Sequence, residues 1–554
     1  MSTNQPEFNL LDEPWILVSD LAGSQKKVSM LELFEKAQCL RMIDGESETQ
    51  NISILRLCLA VLHTVIARYD MEGKENPLED EIDGIDRWGE WWNSGQLPFP
   101  IIRDYLGKWH SRFDLFDADH PFYQDAEVGR ELAQEYEKKP KEKDITENGI
   151  AKNYYSAGKL IGDLSESGNK VRNFRMTNVK SLAFDEAARW LVNYLNTDDK
   201  SAKQPTPKKC GSLGEIGCVT VHGNNLFETL MLNLVLKNVN EDDIPVWERT
   251  DSIRENNAIA VKGLANLYTM QTRRVFLDQK NERIIGIKSK AGEYVEKVPL
   301  TEPMTAWVKD KNGGQSDFMP KKHNPAVALW RNLSILLLDS EIDKKPGVMN
   351  WAGKLIEEAI LNERTTLNIR TVGISYATMS ASIDDIYTDS IGFTSILLKT
   401  INEELRNATL EQVNISRKFA ERYADFEKEL YLASGGDEEN QSEVRNEARG
   451  KLYSQMDLPF RRWLLKVGTE YVSSDDIRNS WWNIVCKIAR NSAEDLIKQQ
   501  DDSAILGKYI TRNVKGTEIR EKYSAARAYN RFLYYTTNRE TLFKEGKSKH
   551  VEKK

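Results

Sequence analysis

Cysteine is scarce in this sequence of 554 residues. The five cysteines are scattered, odd in number and without a C-x-x-C pair; they are Cys39, Cys58, Cys210, Cys218 and Cys486. This pattern indicates neither a disulfide framework nor a zinc ribbon. Cys58 and Cys486 fall within apolar helical patterns, so we expect both to be core residues, as free cysteines usually are.

Long apolar stretches are also missing. No apolar run approaches the roughly 20 residues that span a bilayer, and the opening residues MSTNQPEF lack the basic and apolar regions of a signal peptide. We therefore expect a cytoplasmic protein without a membrane partner. The hydrophobic content of 40%, with 13 Trp, 20 Tyr and 17 Phe, is ample for real cores, and the length predicts two or more domains.

Common catalytic motifs are absent as well. The sequence has no G-x-x-x-x-G-K-[ST] phosphate loop, no H-E-x-x-H metal helix and no G-x-S-x-G nucleophile elbow. Asp117, Asp119 and His120 in DADHPF could bind a metal ion, which leaves a metal-dependent hydrolase as an alternative function. The same residues are typical of a turn held by side-chain hydrogen bonds, and we favour the turn.

Two other motifs lack the neighbours that chemistry would require. The segment GSLGEIG is rich enough in glycine to cradle a phosphate, through Gly211, Gly214 and Gly217, but its spacing matches no dinucleotide fingerprint. A plain turn is the favoured interpretation. His63 has no second ligand at helical spacing, so we expect an ordinary core or edge histidine.

Positive charge is deficient overall but concentrated at one end. The formal charge of −8 argues against a generally basic nucleic-acid binder, yet from Ala504 onward 13 Lys and Arg face only 5 Asp and Glu. This asymmetry suggests an anionic partner near the C-terminus. On the charge run alone, a solvated basic helix is the favoured explanation.

Patterning predicts an α+β fold with a large mixed domain at residues 1–387. A strand pair turns at Ala22-Gly23-Ser24, and Ser29 caps a helix with Glu32 three residues later. An apolar helix follows, ISILRLCLAVLHTVIARY. The polar residues 125–170 read as a flexible insertion, and GCVTVHG and RRVFLD are strand candidates.

The region 388–554 predicts helices alone. Phe419, Tyr423, Phe426 and Leu430 fall at the spacing of one buried helical face. About four long helices with short polar links indicate a C-terminal four-helix bundle.

Five blocks give the chain a family resemblance: FNLLDEPWILV, DADHPFYQ, IPVWER, VKGLANLYTMQTRRVFL and VGISYATMSASIDD. Their order resembles that of the large subunit of the type I-E CRISPR surveillance complex, the CasA family of Cascade. The resemblance runs nearly end to end. It implies a large mixed N-terminal domain whose loops meet nucleic acid, followed by a four-helix bundle.

In that family a loop wedges into duplex DNA beside the protospacer-adjacent motif, and SYATMSASIDD looks like this loop. Aligned on Tyr376 and Ile383, the tip consists of Thr378, Met379, Ser380 and Ala381. The family pattern has asparagine and glutamine there. Met379 can insert an apolar wedge between base steps but, unlike glutamine, cannot read base edges.

Two further loops follow from the resemblance. The loop that docks to the crRNA end and neighbouring subunits corresponds to VRNFRMTNVK, with Phe174 and Asn178 as anchors and phosphate contacts from Arg172, Arg175 and Lys180. The glycine-rich minor-groove loop corresponds to KQPTPKKCGSLGEIG. Its first half here carries Lys203, Lys208 and Lys209 and no glycine, which favours contacts to phosphate.

The family also implies a lysine finger after RRVFL, for which Lys288, Lys290 and Lys297 are candidates. The cysteine cluster that some relatives carry here is missing, so we expect no zinc and no other cofactor.

The resemblance thus implies a non-enzymatic subunit whose partners are the other Cascade subunits, crRNA, double-stranded target DNA and a helicase-nuclease recruited in trans. Besides the hydrolase, a helical adaptor that only bridges proteins stays open as an alternative.

Overall fold

The structure is a computed structural model that describes residues 6–138, 153–162, 179–198, 210–237, 240, 242–310, 317–376, 383–514 and 517–544. It confirms the predicted α+β class. The chain divides into two compact units. Unit 1 comprises Met1–Ala326, Leu338–Ile360 and Leu367–Ser390, and unit 2 comprises Val327–Leu337, Leu361–Thr366 and Ile391–Lys554.

Unit 1 mixes short strands with helices of varied length. Its described helices are α1 (Met30–Lys36), α2 (Glu48–Arg68), α3 (Glu81–Ser94), α4 (Phe99–Gly107), α5 (Ala126–Lys138), α6 (Phe184–Thr197), α7 (Leu226–Asn233) and α8 (Leu264–Tyr268), with α10 (Gly347–Glu357) later in the chain. Its strands are β1 (Ile16–Asp20), β2 (Gln25–Val28), β3 (Leu40–Ile43), β4 (Tyr154–Ser156), β5 (Cys218–His222), β6 (Asn257–Ala258), β7 (Arg273–Lys280), β8 (Arg283–Ala291), β9 (Glu293–Tyr294), β10 (Trp307–Lys309), β11 (Phe318–Pro320), β12 (Asp343–Lys344), β13 (Thr366–Tyr376) and β14 (Ile383–Thr394).

These strands form several small sheets rather than one large one. The strand orders are β2-β1-β3, β4-β8-β7, β11-β10-β12, β14-β13-β5 and the parallel pair β6-β9. The predicted first strand pair is confirmed: β1 and β2 are antiparallel, and Gly23 in their turn has a φ of 88°, a conformation that glycine adopts at little cost.

The apolar helix α2 is the centre of the core of unit 1. Ser47 caps it by accepting the Gln50 N–H, and it packs against α6 and α8. By length and composition α2 is apolar enough to cross a membrane, contrary to the expectation that no run reaches that length. However, 89% of its apolar window is buried within the protein, as in a core helix. Cys58 lies fully buried within it, as predicted.

The prediction of a flexible insertion over residues 125–170 is wrong for the described part of that range. Residues 126–138 form α5, and β4 pairs with β8. The many charges of α5 made it look like a loop. Some of these charges form ion pairs, because Glu131 and Glu135 bind lysines of β8.

Unit 2 is mainly helical. Its described helices are α9 (Ser334–Leu337), α11 (Glu403–Ala433), α12 (Gln441–Leu464), α13 (Ser474–Lys498), α14 (Asp502–Leu506), α15 (Ala525–Tyr535) and α16 (Arg539–Phe543). The long helix α11 packs against α12, α13 and α15, which supplies the C-terminal helical group that was predicted. Phe419, Tyr423, Phe426 and Leu430 are buried on one face of α11, and Cys486 is buried on α13, as predicted.

The region after residue 387 is nevertheless not helical throughout. β14 continues to Thr394, and β15 (Lys508–Val514) pairs with β16 (Thr517–Tyr523) as an antiparallel hairpin. The segment EIREKY, which lies in the region predicted to contain helices alone, is part of β16. Alternating side-chain exposure in this short ribbon is hidden by its charged residues, so a helical pattern fitted the sequence equally well.

Candidate nucleic-acid interface

The predicted wedge loop lies at the tip of the β13–β14 hairpin. β13 pairs with β5 in antiparallel register, from Asn368 opposite His222 to Val372 opposite Cys218. Thr378, Met379, Ser380 and Ala381 lie outside the described residues, between Tyr376 and Ile383. The structure therefore locates the stem of the loop.

Tyr376, the last described residue of β13, is held on several sides. Its hydroxyl donates to the Thr197 carbonyl at 2.8 Å, at the end of α6. A Cβ on Gly214 would overlap the same hydroxyl, so a larger residue there would displace the tyrosine ring. The Lys322 ammonium donates to the Gly214 carbonyl at 2.7 Å and lies 6.0 Å from the centre of the tyrosine ring.

The other strand of the stem is held similarly. A Cβ built on Gly162 would lie 2.9 Å from Cδ1 of Ile383, the first described residue of β14. The Tyr387 hydroxyl donates to the His323 carbonyl. His323 in turn contacts the Cys218 carbonyl through Nε2 at 3.0 Å, and burial lowers the pKa of its imidazole. The stem is thus fixed by uncharged or partnered groups.

Asp198 anchors the chain where it leaves α6. Its carboxylate accepts from Arg273 Nε at 2.6 Å and from the Thr272 hydroxyl at 2.7 Å, and all three residues are buried. The N–H of Gly211 donates to the Asp198 carbonyl at 2.9 Å. Lys203, Lys208 and Lys209, which lie between these two anchors in the sequence, are outside the described residues.

These contacts bring together the described residues that border three of the predicted loops. Gly162 precedes the docking-loop region, Asp198 precedes the lysine-rich segment, and Tyr376 precedes the wedge. Gly162 contacts Ile383, and Thr197, beside Asp198, accepts the hydrogen bond from Tyr376. Sequence reasoning missed the groups that join them, Gly214, Lys322 and His323. Only GSLGEIG gave a signal, and it was interpreted as a simple turn.

The glycines of GSLGEIG serve close packing. Residues Ser212–Glu215 form a 3-10 turn, which confirms the plain-turn interpretation. Added Cβ atoms would overlap the Asn196 backbone at Gly211 and the Lys321 carbonyl at Gly217. The glycines allow other segments of the same chain to pack closely against them, and they do not form a phosphate-binding loop.

Of the docking-loop candidates, Arg172, Phe174, Arg175 and Asn178 lie outside the described residues. Lys180 is described and exposed. It precedes Ser181, whose hydroxyl accepts from Arg283 Nε at 2.7 Å. This contact fixes the chain immediately after the predicted loop.

The three candidates for the lysine finger differ in exposure. The Lys288 ammonium is buried and lies 2.8 Å from Glu135, and Lys290 contacts Glu131 at 2.6 Å. Lys297 keeps 76% of its side chain exposed, with Asp317 at 3.1 Å. Of these three, Lys297 is the residue best able to reach a DNA phosphate.

Asp117, Asp119 and His120 form the predicted turn. Asp117 Oδ1 accepts the backbone N–H of Asp119 at 3.0 Å and of His120 at 2.7 Å. Among the residues that the structure describes, no group of three or more His, Cys, Asp or Glu side chains could hold a metal ion. His63 is a buried core histidine, and burial lowers its pKa to about 3.

The blocks that carried the resemblance pack against one another. Gln124 accepts the Leu277 N–H at 2.8 Å, and Asp125 binds Arg274 at 2.6 Å. Arg249 forms a bidentate pair with Glu293 at 2.7 and 3.0 Å. These three blocks therefore maintain the fold, whereas the block VGISYATMSASIDD forms the stem of the candidate interface.

Comparison with known proteins agrees with this architecture. The model of the family described as CRISPR-associated protein Cse1 matches residues 9–492. The chain belongs to the Cse1 family. The curated CasA/Cse1 protein of Thermus thermophilus is 28% identical over 351 residues, an alignment that spans 60% of this chain and 60% of that relative.

Solved structures extend the likeness along the chain. Cse1 of Thermobifida fusca has a TM-score of 0.80 and 26% identity, covering 98% of this chain and 99% of that one. A chain of a CRISPR RNA-guided surveillance complex has a TM-score of 0.67 and 15% identity, covering 97% and 100%. The Cse1 fold is therefore shared over nearly the full length.

Proposed function

We propose that this chain is the large, non-catalytic subunit of a crRNA-guided surveillance complex. In this role it contacts duplex DNA beside the protospacer and favours local strand separation, so that guide pairing can begin. Its partners are the other subunits, crRNA, target DNA and a helicase-nuclease recruited in trans. Membership of the Cse1 family and the shared fold of a chain in such a complex support the assignment.

The observation that carries the proposal is the meeting of three loop ends at the β13–β14 stem. A wedge must hold a base step unstacked, and unstacking one step costs a few kcal/mol. Tyr376 is held by Thr197 and packed against Gly214, and Ile383 is packed against Gly162. A stem fixed in this way transmits force to its tip.

Charge distribution fits the same role. The chain is acidic overall, so its contacts with DNA must come from local basic groups such as Lys203, Lys208, Lys209 and Lys297. Few phosphate contacts give weak, rapidly reversible binding, which suits a search for a short motif. Phe174, Asn178 and the basic residues Arg172, Arg175 and Lys180 remain our candidates for docking to crRNA and its bound subunits.

The test uses the assembled complex with Met379→Gly and Ser380→Gly. Binding to fully paired target should weaken much more than binding to target mismatched beside the motif, because the mismatch supplies the opening that the loop no longer provides. Ala22→Gly with Ser24→Gly, at the exposed β1–β2 turn, is the matched control. Equal losses on both targets would reject the wedge.

The same complex separates the alternatives. A bridging adaptor without DNA contact predicts unchanged DNA binding when residues 377–382 are deleted. A hydrolase predicts stoichiometric metal and an activity abolished by His120→Ala. The use of the Asp117 carboxylate within its own turn favours neither cleavage nor metal binding.

A further inference from the structure

The hairpin β15–β16 is anchored through one of its faces. Tyr523 is buried in a cluster with Leu432, Ala433 and Ala504, and Ile510 packs against that cluster. An isolated two-stranded hairpin is only marginally stable in water. Here the packing of the inner face against α11 holds the ribbon in place.

The opposite face is aromatic and basic. Successive side chains of a strand point to alternate faces, so Tyr509 and Thr511 of β15 share the outer face with their cross-strand partners Lys522 and Arg520. All four residues are exposed, and 60% of the surface of Tyr509 is accessible. The anchored inner face therefore presents these groups to solvent.

Both cations of this face lie close to the tyrosine ring. The Arg520 guanidinium lies 4.6 Å and the Lys522 ammonium 5.9 Å from the ring centre. Within the described part of the chain, neither cation has a carboxylate partner. Arg527 differs, since its guanidinium contacts Glu521. The outer face thus carries two cations without an ion-pair partner beside an accessible aromatic ring, and the exposed Glu518 shares this face without pairing with either of them.

Two features of the sequence set this hairpin apart. It lies in the segment from Ala504 onward, where 13 basic residues face 5 acidic ones in a chain of net charge −8. It also lies beyond residue 492, where the match to the Cse1 family model ends. The wedge and the other loops discussed above do not account for it.

We propose that the outer face of the β15–β16 hairpin binds single-stranded nucleic acid. Arg520 and Lys522 contact phosphates, and the ring of Tyr509 stacks on a base. Stacking favours single strands because their bases are available, and it tolerates any sequence because every base has a π-face. The surface adds a sequence-independent contact to the proposed function, but it does not depend on the wedge.

The experiment uses the full-length chain alone with fluorescein-labelled oligothymidylate, oligouridylate and a duplex DNA of equal length. Fluorescence anisotropy gives the Kd at several salt concentrations. Arg520→Gln with Lys522→Gln should weaken single-strand binding about fivefold or more and lower the salt slope by about 1.4, at about 0.7 per phosphate contact. Tyr509→Ala should weaken it about fivefold or more with the slope unchanged, and Tyr509→Phe should restore it.

The control Arg103→Gln with Lys498→Gln removes the same charge from exposed sites elsewhere. If the hairpin variants bind as this control does, the proposal is overturned. Equal losses on duplex and single strands would also overturn it, since simple attraction would then suffice. A preference for thymidylate or uridylate identifies DNA or RNA as the source of the phosphates and supports the shared chemistry.

Folding and the wedge are checked separately. Thermal unfolding and circular dichroism of each variant show whether the hairpin change disturbs α11. The wedge is measured with paired and mismatched duplex in the assembled complex, whereas the hairpin surface is measured with oligonucleotides and the chain alone. Failure of the wedge and failure of the hairpin surface therefore give different results.

Discussion

Unit 1 and unit 2 both contain aromatic clusters, but they differ in how deeply their ion pairs are buried. In unit 1, buried ion pairs join residues far apart in the chain, such as Arg56 with Glu302 at 2.9 Å and Arg273 with Asp198 at 2.6 Å. In unit 2, rings fill the space between helices. The rings of Phe460, Trp463 and Trp481 lie 4.8 to 5.4 Å apart between centres.

Buried ion pairs and aromatic contacts differ in how strongly they select one arrangement of the chain. A buried charge needs its own partner, so an ion pair favours one arrangement of the segments that it joins. The pair Asp198–Arg273 does this at the exit of α6, beside the candidate interface. Aromatic packing between helices is less selective, because rings of similar volume can replace one another at modest cost. Four experiments test this contrast.

Glu302→Gln should have the largest effect. It leaves the buried Arg56 guanidinium without its carboxylate, which typically costs about 3 to 5 kcal/mol. The double variant Arg56→Met with Glu302→Leu removes both charges and should lose much less. Hydrogen exchange of the core amides of α2 measures both. Equal losses in the single and double variants would show that volume, not charge, determines stability there.

Acidification should destabilise unit 1 next most strongly. Burial lowers the pKa of His63 to about 3, whereas an unfolded histidine titrates near about 6.5. Below about pH 6.5 the unfolded chain therefore binds a proton that the folded chain does not. The free energy of unfolding is unaffected above that pH and decreases as the pH is lowered toward 3. From pH 7 to pH 5 the loss is about 2 kcal/mol.

His63→Leu should remove that part of the pH dependence. The Nε2 atom of His63 has no hydrogen-bond partner among the described residues, so the change leaves no group newly unpaired. Stability of the variant and the parent is compared at both pH values by hydrogen exchange of α2. An unchanged pH slope would show that His63 takes up its proton in the folded state.

Trp481→Phe should have a smaller effect, confined to unit 2. Trp481 is fully buried, and its indole donates to the Ser416 hydroxyl at 2.9 Å. Phenylalanine keeps an aromatic ring but loses the hydrogen bond and some contact area, for about 1 to 2 kcal/mol. Limited proteolysis of the region after Ile391 follows this change. A loss as large as that of Glu302→Gln would remove the contrast between the units.

Lys297→Ala should change stability least, by under about 1 kcal/mol, because its pair with Asp317 is exposed. Binding of the assembled complex to target duplex should show a salt slope lower by about 0.9 if Lys297 meets a phosphate. Lys288→Ala is the control, since it should destabilise the β8–α5 contact without altering the slope. The opposite pattern would assign the finger to Lys288.

Much of the fold could be predicted because its signals are local. The cap of α1, the apolar helix α2, the buried face of α11 and the strands β5 and β7 all follow from periodicity and turn chemistry within short windows. The helix α5 and the hairpin β15–β16 escaped prediction. The charges of α5 are paired with lysines of β8, and the hairpin is held by packing against α11. Both contacts join segments that are distant in the sequence, so no local window contains them.

The α+β class, the helical C-terminal region and the family resemblance follow from the sequence alone, because periodic patterns and ordered blocks run along the chain. Which charged side chains are available for binding depends on the tertiary structure. Lys288, Lys290 and Lys297 look alike in sequence, yet α5 supplies carboxylates to the first two and leaves the third largely exposed. Whether a lysine side chain is paired or exposed depends on the surface that packs beside it, and the topology of the chain determines that surface.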